Sequence, residues 1–156
     1  MSKQIRKTIA EEPFFSGLEE SWLDFLADNA TDIQLDANEI VSRQGSRADR
    51  FFLVLEGELA IEVPAIQGPT LEVQRLRPGQ ILGWSWLIEP FRWHFQSRAS
   101  GPTHLLSFDG EAILARCEED PAFGYALLKR FSTLMGQRLE SAQRKMMDQW
   151  SPAGFA

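Results

Sequence analysis

The sequence contains few of the residues that would indicate a disulfide framework, a metal site or a membrane segment. One cysteine, Cys117, and two histidines occur among its 156 residues. A single cysteine cannot form an intramolecular disulfide, which is typical of a reducing compartment and predicts a cytoplasmic location. No apolar run approaches the roughly 20 residues of a membrane-spanning helix, and Met1 to Glu12 lack the apolar core of a signal peptide. We therefore expect no membrane partner.

The chain also lacks an excess of basic residues. Its 16 Lys and Arg stand against 22 Asp and Glu, which gives a formal net charge of -6. Binding to nucleic acid is driven largely by Lys and Arg side chains that release counterions from phosphates. The charge balance therefore predicts no direct nucleic-acid partner, while it leaves room for a local basic patch.

Aromatic residues, in contrast, are abundant. The sequence has 11 Phe and 5 Trp, which is more aromatic mass than one core needs, so we expect some rings to line a pocket or an interface. The length and the apolar fraction of 44% are ordinary for one soluble domain. We therefore predict that residues 1–156 form a single domain.

The spacing of apolar residues changes twice along the chain. Helical spacing covers roughly residues 1–30. Short alternating runs separated by Gly and Pro then cover 31–109, which indicates a β jelly roll, or double-stranded β-helix. Helical spacing returns over 110–150. The predicted fold class is α+β, a jelly roll flanked by N-terminal helices and a long C-terminal helix.

Local signals predict where the helices begin. Ser16, followed three residues later by a glutamate, has the spacing of a capping box and is predicted to open the second helix. Asp109 or Gly110 is predicted to cap a short helix. Asp120-Pro121 is predicted to begin the long one, because Pro is favoured in a first helical turn.

The long helix carries apolar residues at close to seven-residue spacing, which is typical of helices that dimerise. They are Leu128, Met135, Leu139, Ala142 and Met146. We therefore predict a homodimer through this helix, with packing of the same residues on the jelly roll as the alternative. The basic residues Arg138, Arg144 and Lys145 are expected to form a solvated face.

Four segments resemble those of a known family. They are Pro13–Leu18, Ile40–Asp49, Phe52–Leu59 and Arg77–Gly83. They are similar to segments of the cyclic-nucleotide-binding domains of the catabolite activator type, and the resemblance extends over residues 13–150. It implies a jelly roll that encloses a small molecule, with a terminal helix that transmits the signal. In that family a helix-turn-helix follows; the sequence ends at Ala156, so we expect no DNA-binding domain.

The sequence departs from this family in the phosphate-binding cassette, which corresponds here to the segment from Gly83 to Phe95. The family has a Glu that binds the ribose hydroxyl, and here that position is Trp84. The family's Arg, which pairs with the cyclic phosphate, corresponds to Trp93, and its following Ser/Thr and Ala correspond to His94 and Phe95; Arg92 is one residue away. A buried phosphate must be paired, so we expect that cyclic AMP does not bind in the usual pose.

The predicted ligand-binding residues all come from this cassette. They are Gly83, Trp84, Ser85, Trp86, Arg92, Trp93, His94 and Phe95. Three interpretations stay open for their aromatic rings. The rings could stack on a flat or apolar ligand of unknown identity, fill the space that a nucleotide would occupy, or form a surface on which a partner protein docks.

Catalytic and metal chemistry find little support in the sequence. A metal-dependent cupin enzyme would need two or three histidines and a carboxylate around one ion. Here His94 lies in the cassette and His104 at the start of a later predicted strand, with no His-x-His pair. Ser85 has no obvious base beside it, and Cys117 precedes two glutamates rather than basic residues. We therefore expect no enzymatic activity, no metal and no cofactor.

Together these patterns predict a regulatory sensor or binding module with a possible partner protein. The alternative is a genuine cyclic-nucleotide-binding domain that regulates a partner protein in trans.

Overall fold

The computed structural model describes residues 2–63, 67 and 70–149. Within this part, the N-terminal segment forms helix α1 (Ser2–Glu11), a single 3-10 turn (Pro13–Phe15) and helix α2 (Glu20–Asp28). The last residue predicted as helical, Trp150, and the tail behind it lie outside the described residues.

The N-cap of the second helix lies three residues later than the capping-box pattern predicts. Ser16 ends the 3-10 turn, and the helix begins at Glu20 after Glu19, whose side chain caps nothing. Gly17 adopts a φ of 84°, a left-handed conformation that a right-handed helix cannot include. The sequence-based prediction for Ser16 is therefore wrong, because the chain turns at this glycine.

Eight strands follow in the described part of the chain. They are β1 (Ala30–Leu35), β2 (Ile40–Ser42), β3 (Arg50–Glu56), β4 (Leu59–Val63), β5 (Leu71–Leu76), β6 (Ile81–Leu82), β7 (Gln96–Ala99) and β8 (Thr103–Asp109). They pair in two antiparallel sheets, in the orders β1-β8-β3-β6 and β2-β7-β4-β5. This is the strand order of a jelly roll, so the predicted α+β class is confirmed.

The helices behind the roll begin where the sequence predicts. Helix α3 (Gly110–Glu119) is capped by Asp109, whose carboxylate accepts a hydrogen bond from the backbone N–H of Ala112 at 3.1 Å. Helix α4 (Pro121–Gln149) follows Asp120. The Asp120 carboxylate accepts from the N–H of Phe123 at 3.3 Å and from the indole N–H of Trp22 at 3.1 Å, which joins α4 to α2.

Strand β3 separates two apolar cores because both of its faces are buried, as its continuous apolar run predicts. Phe51 and Leu53 face the helices, and Phe52 and Val54 face the inside of the roll. In the helical core, Phe51 stacks on Phe108 with ring centroids 4.5 Å apart. The helices therefore pack against the outer face of the sheet that contains β3. The inner face of that sheet and the second sheet enclose the interior of the roll.

Helix α4 extends over both parts of the molecule. Its first turns are buried in the helical core through Phe123, Leu127 and Phe131, which are spaced four residues apart. Further along, the ammonium of Lys145 donates to the carbonyl of Val73 on β5 at 2.7 Å. The middle of α4 therefore lies over the open side of the roll. None of the described helices is both long and apolar enough to cross a membrane.

Candidate ligand pocket

A cavity of about 430 Å³ lies between the second sheet, the segment that follows β6, and the middle of α4. The roll contributes Ile61, Val73, Gln74, Leu82 and Ser97; the cassette contributes Gly83, Trp84, Ser85, Trp93, His94 and Phe95; and α4 contributes Met135, Arg138, Leu139, Ser141 and Ala142. Six of the eight sequence-predicted site residues are thus brought together. Most of the walls are apolar.

Gly83 and Trp93 are packed against each other at the inner end of this cavity. Gly83 has a φ of 106°, and a β-carbon at this position would lie 2.8 Å from Cη2 of Trp93. A side chain at residue 83 would therefore meet both an unfavourable backbone conformation and the indole ring. The glycine that introduces the cassette provides the space for the tryptophan that departs from the family pattern.

Trp93 is a buried part of the inner core. Its ring is stacked near Phe52, with centroids 6.4 Å apart and planes 26° apart. Its backbone N–H donates to the carbonyl of Ser46 at 2.9 Å, and its carbonyl accepts from the N–H of Gly45 at 2.8 Å. Two hydrogen bonds fix the backbone of Trp93, and its buried indole forms part of the cavity wall.

Ser85 and His94 form the polar corner of the cassette. The hydroxyl of Ser85 is buried and lies 3.4 Å from Nδ1 of His94, whose side chain is exposed. Among the described residues His94 has no carboxylate partner, so this pair lacks the orienting acid of a nucleophilic triad. His104 instead lies beside Asp32 on the first sheet, with Nε2 2.6 Å from Oδ1. Within the described residues no cluster of potential metal ligands is found.

Two of the predicted site residues lie outside the cavity lining. Trp86 is buried in the helical core, where its ring centroid lies 5.0 Å from that of Phe51 and 5.2 Å from that of Phe131. Its indole N–H donates to the carbonyl of Gly83 at 3.2 Å, so it stabilises the first turn of the cassette from the side of the helical core. Arg92 is exposed and donates to the carbonyl of Gly45 at 2.9 Å.

Arg138 on α4 is the site residue that the sequence interpretation missed. Its Nε and Nη2 atoms are fully buried and have no hydrogen-bond partner among the described residues. Its guanidinium carbon lies 5.3 Å from the ring centroid of Trp84. Burial lowers the pKa of Arg138 to about 10, because desolvation disfavours the charged form. The expectation that Arg138 belongs to a solvated face is therefore wrong.

A signal for this position is present in the sequence, although periodicity alone does not separate it from the other basic residues. Arg138 lies four residues after Leu134 and four before Ala142, so it shares a helix face with them. Arg144, in contrast, is exposed and pairs with Glu140 at 2.6 Å. Only the position of the roll below α4 decides which arginine is enclosed.

The family relationship follows from the sequence match and agrees with the fold. The sequence matches the family described as "Cyclic nucleotide-binding domain" over residues 32–120, more than half of the chain. The chain therefore belongs to the cyclic nucleotide-binding domain family. No curated protein matches the sequence significantly.

Solved structures share the architecture. A cyclic nucleotide-binding domain from Methylobacillus flagellatus KT superimposes with a TM-score of 0.78 and 16% identity, covering 95% of this chain and 83% of that chain. The sensor domain of the transcriptional regulator DNR from Pseudomonas aeruginosa gives 0.72 and 20%, covering 89% and 93%. The N-terminal domain of a transcriptional regulator from Streptomyces coelicolor A3(2) gives 0.66 and 19%, covering 87% and 92%. At these identities the likeness concerns the fold.

Proposed function

We propose that this protein is a regulatory sensor that binds a small molecule in the cavity beneath α4, without binding cyclic AMP in the family's usual pose. It acts by binding rather than by catalysis, in the cytoplasm, and without direct contact to nucleic acid. The single cysteine and the net charge of -6 support the last two points.

The position of Trp93 is the observation that carries this proposal. In the family pattern an arginine at this position pairs with the cyclic phosphate, and here a neutral indole is packed on Gly83 and Phe52. Trp84 similarly replaces the acid that binds the ribose. A phosphate monoanion that loses its water without gaining a cation costs several kcal/mol, so the usual pose is disfavoured.

An open cavity supports ligand binding over the other two interpretations of the aromatic rings. Trp93 and Trp86 fill space, yet about 430 Å³ remains beside Trp84. None of these three indoles is exposed, whereas a docking surface needs accessible aromatic anchors. A pocket of this size, mostly apolar with a few polar groups, is typical of small-molecule sites.

A second candidate is a genuine cyclic-nucleotide-binding domain that regulates a partner protein in trans. The buried guanidinium of Arg138 favours it, because a phosphate could pair with this cation from the α4 side rather than from the cassette. The nucleotide would then have to bind in a different orientation. Calorimetry with cyclic AMP and cyclic GMP separates the two candidates.

We further propose that α4 transmits the signal through a homodimer with a second copy of this chain. Of the five residues of the predicted seam, Leu128, Leu139 and Met146 expose 46%, 62% and 64% of their surface, whereas Met135 and Ala142 line the cavity. The same helix lines the cavity through Met135, Arg138 and Leu139. A ligand that changes the position of α4 would therefore change the geometry of a helix pair.

The direct test is a metabolite screen read by tryptophan fluorescence and confirmed by calorimetry. We expect at least one compound to quench or shift the emission, and Trp84→Phe to remove most of that change. Trp22→Phe is the matched control, because Trp22 lies in the helical core beside Phe123. A flat response to every compound would favour the filled cavity and contradict the proposal. If cyclic AMP bound with micromolar affinity and Arg138→Gln left that affinity unchanged, the claim that Trp93 disfavours the usual pose would be contradicted.

A further inference from the structure

We infer that the cavity binds an organic carboxylate with an apolar body, and that Arg138 is the residue that holds its charged group. This inference rests on the proposed sensor function and specifies the chemical class of its ligand. The structure supports it through the unpaired edge of Arg138, the contact of Arg138 with Trp84, and the charge balance of the cavity walls.

The unpaired atoms of Arg138 form one binding edge. Nε and Nη2 lie side by side on the planar guanidinium, and both are buried without a partner among the described residues. Two parallel N–H donors on one edge match the two oxygens of a carboxylate, which accept them in a bidentate pair. Buried polar groups are rarely left unsatisfied, and such an exception needs an explanation. A ligand that supplies two acceptor oxygens explains it.

Trp84 holds the guanidinium in place without using its hydrogen bonds. The guanidinium carbon of Arg138 lies 5.3 Å from the Trp84 ring centroid, within the range of a cation–π interaction. This contact is made with the π-system of the ring and occupies none of the N–H groups, and Nε and Nη2 have no partner among the described residues. The cassette tryptophan therefore positions Arg138, and its edge stays available for an anion.

The charges around the cavity favour a monoanion. Arg138 carries the one formal charge among the described lining residues, and His94 is the other basic group among them. Lys145 lies beyond the lining and donates to the carbonyl of Val73 at 2.7 Å. One buried cation compensates one negative charge, and a phosphomonoester dianion would keep an uncompensated charge in a poorly solvated site.

The remaining walls require an apolar ligand body. Ile61, Val73, Leu82, Trp93 and Phe95 contribute apolar surface to the cavity. Burying apolar ligand surface against them favours binding. These side chains match an aromatic or aliphatic chain, and Gln74, Ser85, Ser97 and Ser141 are polar lining residues that remain for a substituent.

Matched carboxylates and amides test the inference by calorimetry. The probes are 3-phenylpropanoate, indole-3-acetate and octanoate, each paired with its neutral primary amide. Cyclic AMP is included to test whether a phosphate binds in place of a carboxylate. We expect at least one carboxylate to bind tenfold or more tighter than its amide. Arg138→Gln should remove this preference, and Arg138→Lys should restore only part of it, because Lys keeps the charge but lacks the two-donor edge.

Arg144→Gln is the control, because it removes an exposed arginine from the same helix and should leave every affinity unchanged. The Tm of ligand-free Arg138→Gln should equal or exceed that of the wild type, since an unpaired buried charge is removed. A lower Tm together with unchanged ligand affinity would assign Arg138 a structural role and overturn the inference.

The outcomes separate this inference from the proposed function. Equal affinities of the acids and their amides would overturn the carboxylate assignment. It would also be overturned if cyclic AMP bound most tightly and lost affinity in Arg138→Gln. A neutral or cationic compound found by the fluorescence screen, with no carboxylate binding, would overturn the inference and leave the sensor function intact. No response to any compound in the screen would contradict both.

Discussion

The indole of Trp93 lies directly over Gly83, so close that a β-carbon on residue 83 would stand 2.8 Å from Cη2. Glycine at the start of the cassette is thus required by the tryptophan near its end. The resemblance to the family implies that Trp93 stands at the position of the arginine that pairs with the cyclic phosphate. A tryptophan in place of that arginine removes a positive charge and adds bulk.

Replacing Gly83 with alanine should destabilise the protein by about 2–4 kcal/mol, because the φ of 106° is unfavourable for alanine and the methyl group meets the Trp93 ring. Urea unfolding measures the change in the free energy of unfolding. Gly101→Ala is the control, since a β-carbon at Gly101 meets no atom within 4 Å. An equal effect of both substitutions would contradict the packing described for Gly83.

The ion pair between buried Glu62 and half-buried Arg98 should make stability depend on pH. Arg98 donates to both carboxylate oxygens of Glu62, at 3.1 and 2.8 Å, and Gln96 adds a third hydrogen bond. The hydrogen bonds from Arg98 are the largest cause that lowers the pKa of Glu62 below its ordinary value of 4.5. The stabilisation is therefore complete above about pH 4.5 and is lost as the pH falls through the lower pKa of the folded state.

Glu62→Gln should accordingly lower the free energy of unfolding at pH 7 by about 1–3 kcal/mol, because the half-buried Arg98 loses its charged partner. The difference from the wild type should shrink as the pH falls below 4.5. Denaturant unfolding at several pH values measures it. Glu72→Gln breaks a pair with Arg75 that is exposed to solvent and should have little effect. A loss that stays constant down to pH 3 would refute the role of ionised Glu62.

Cys117 should react slowly with thiol reagents in the folded protein. Burial, followed by the nearby charges of Glu118 and Asp120, raises the pKa of its thiol from 9.0 to about 11. At pH 8 this difference lowers the thiolate fraction about a hundredfold relative to the unfolded chain. The rate of reaction with an aromatic disulfide reagent, with and without denaturant, measures the effect. Equal rates in the two states would show that the thiol is neither buried nor perturbed.

Met146→Glu should convert the proposed homodimer to a monomer. Met146 exposes 64% of its surface at a position of the seven-residue pattern and does not line the cavity. A carboxylate on each copy would be buried beside an apolar seam at the cost of desolvation. Light scattering coupled to size exclusion measures the mass, with Gln137→Glu as the control on the outer side of the helix. A monomeric wild type at tens of micromolar would contradict the dimer directly.

Local patterns predicted much of the fold because they depend on neighbouring residues. The period of two over 31–109 and the caps at Asp109 and Asp120 correspond to observed elements. The prediction for Ser16 was wrong because Gly17 turns the chain at a φ of 84°. The capping pattern depends only on Ser16 and Glu19 and contains no information about the backbone conformation of Gly17. The departures of the cassette from the family pattern were likewise visible in the sequence, since they concern the identity of single residues.

Tertiary structure alone decided which side chains are buried and which line the cavity. Trp84, Trp86 and Trp93 look alike in the sequence, yet the irregular path of the cassette directs Trp86 into the helical core and the other two toward the cavity. Arg138 and Arg144 lie on one helix, and only the roll beneath α4 distinguishes the enclosed guanidinium from the solvated one. Periodicity assigns a residue to a face of its own element. Which other element covers that face depends on contacts between residues distant in the chain, and burial sets the chemistry of the side chain.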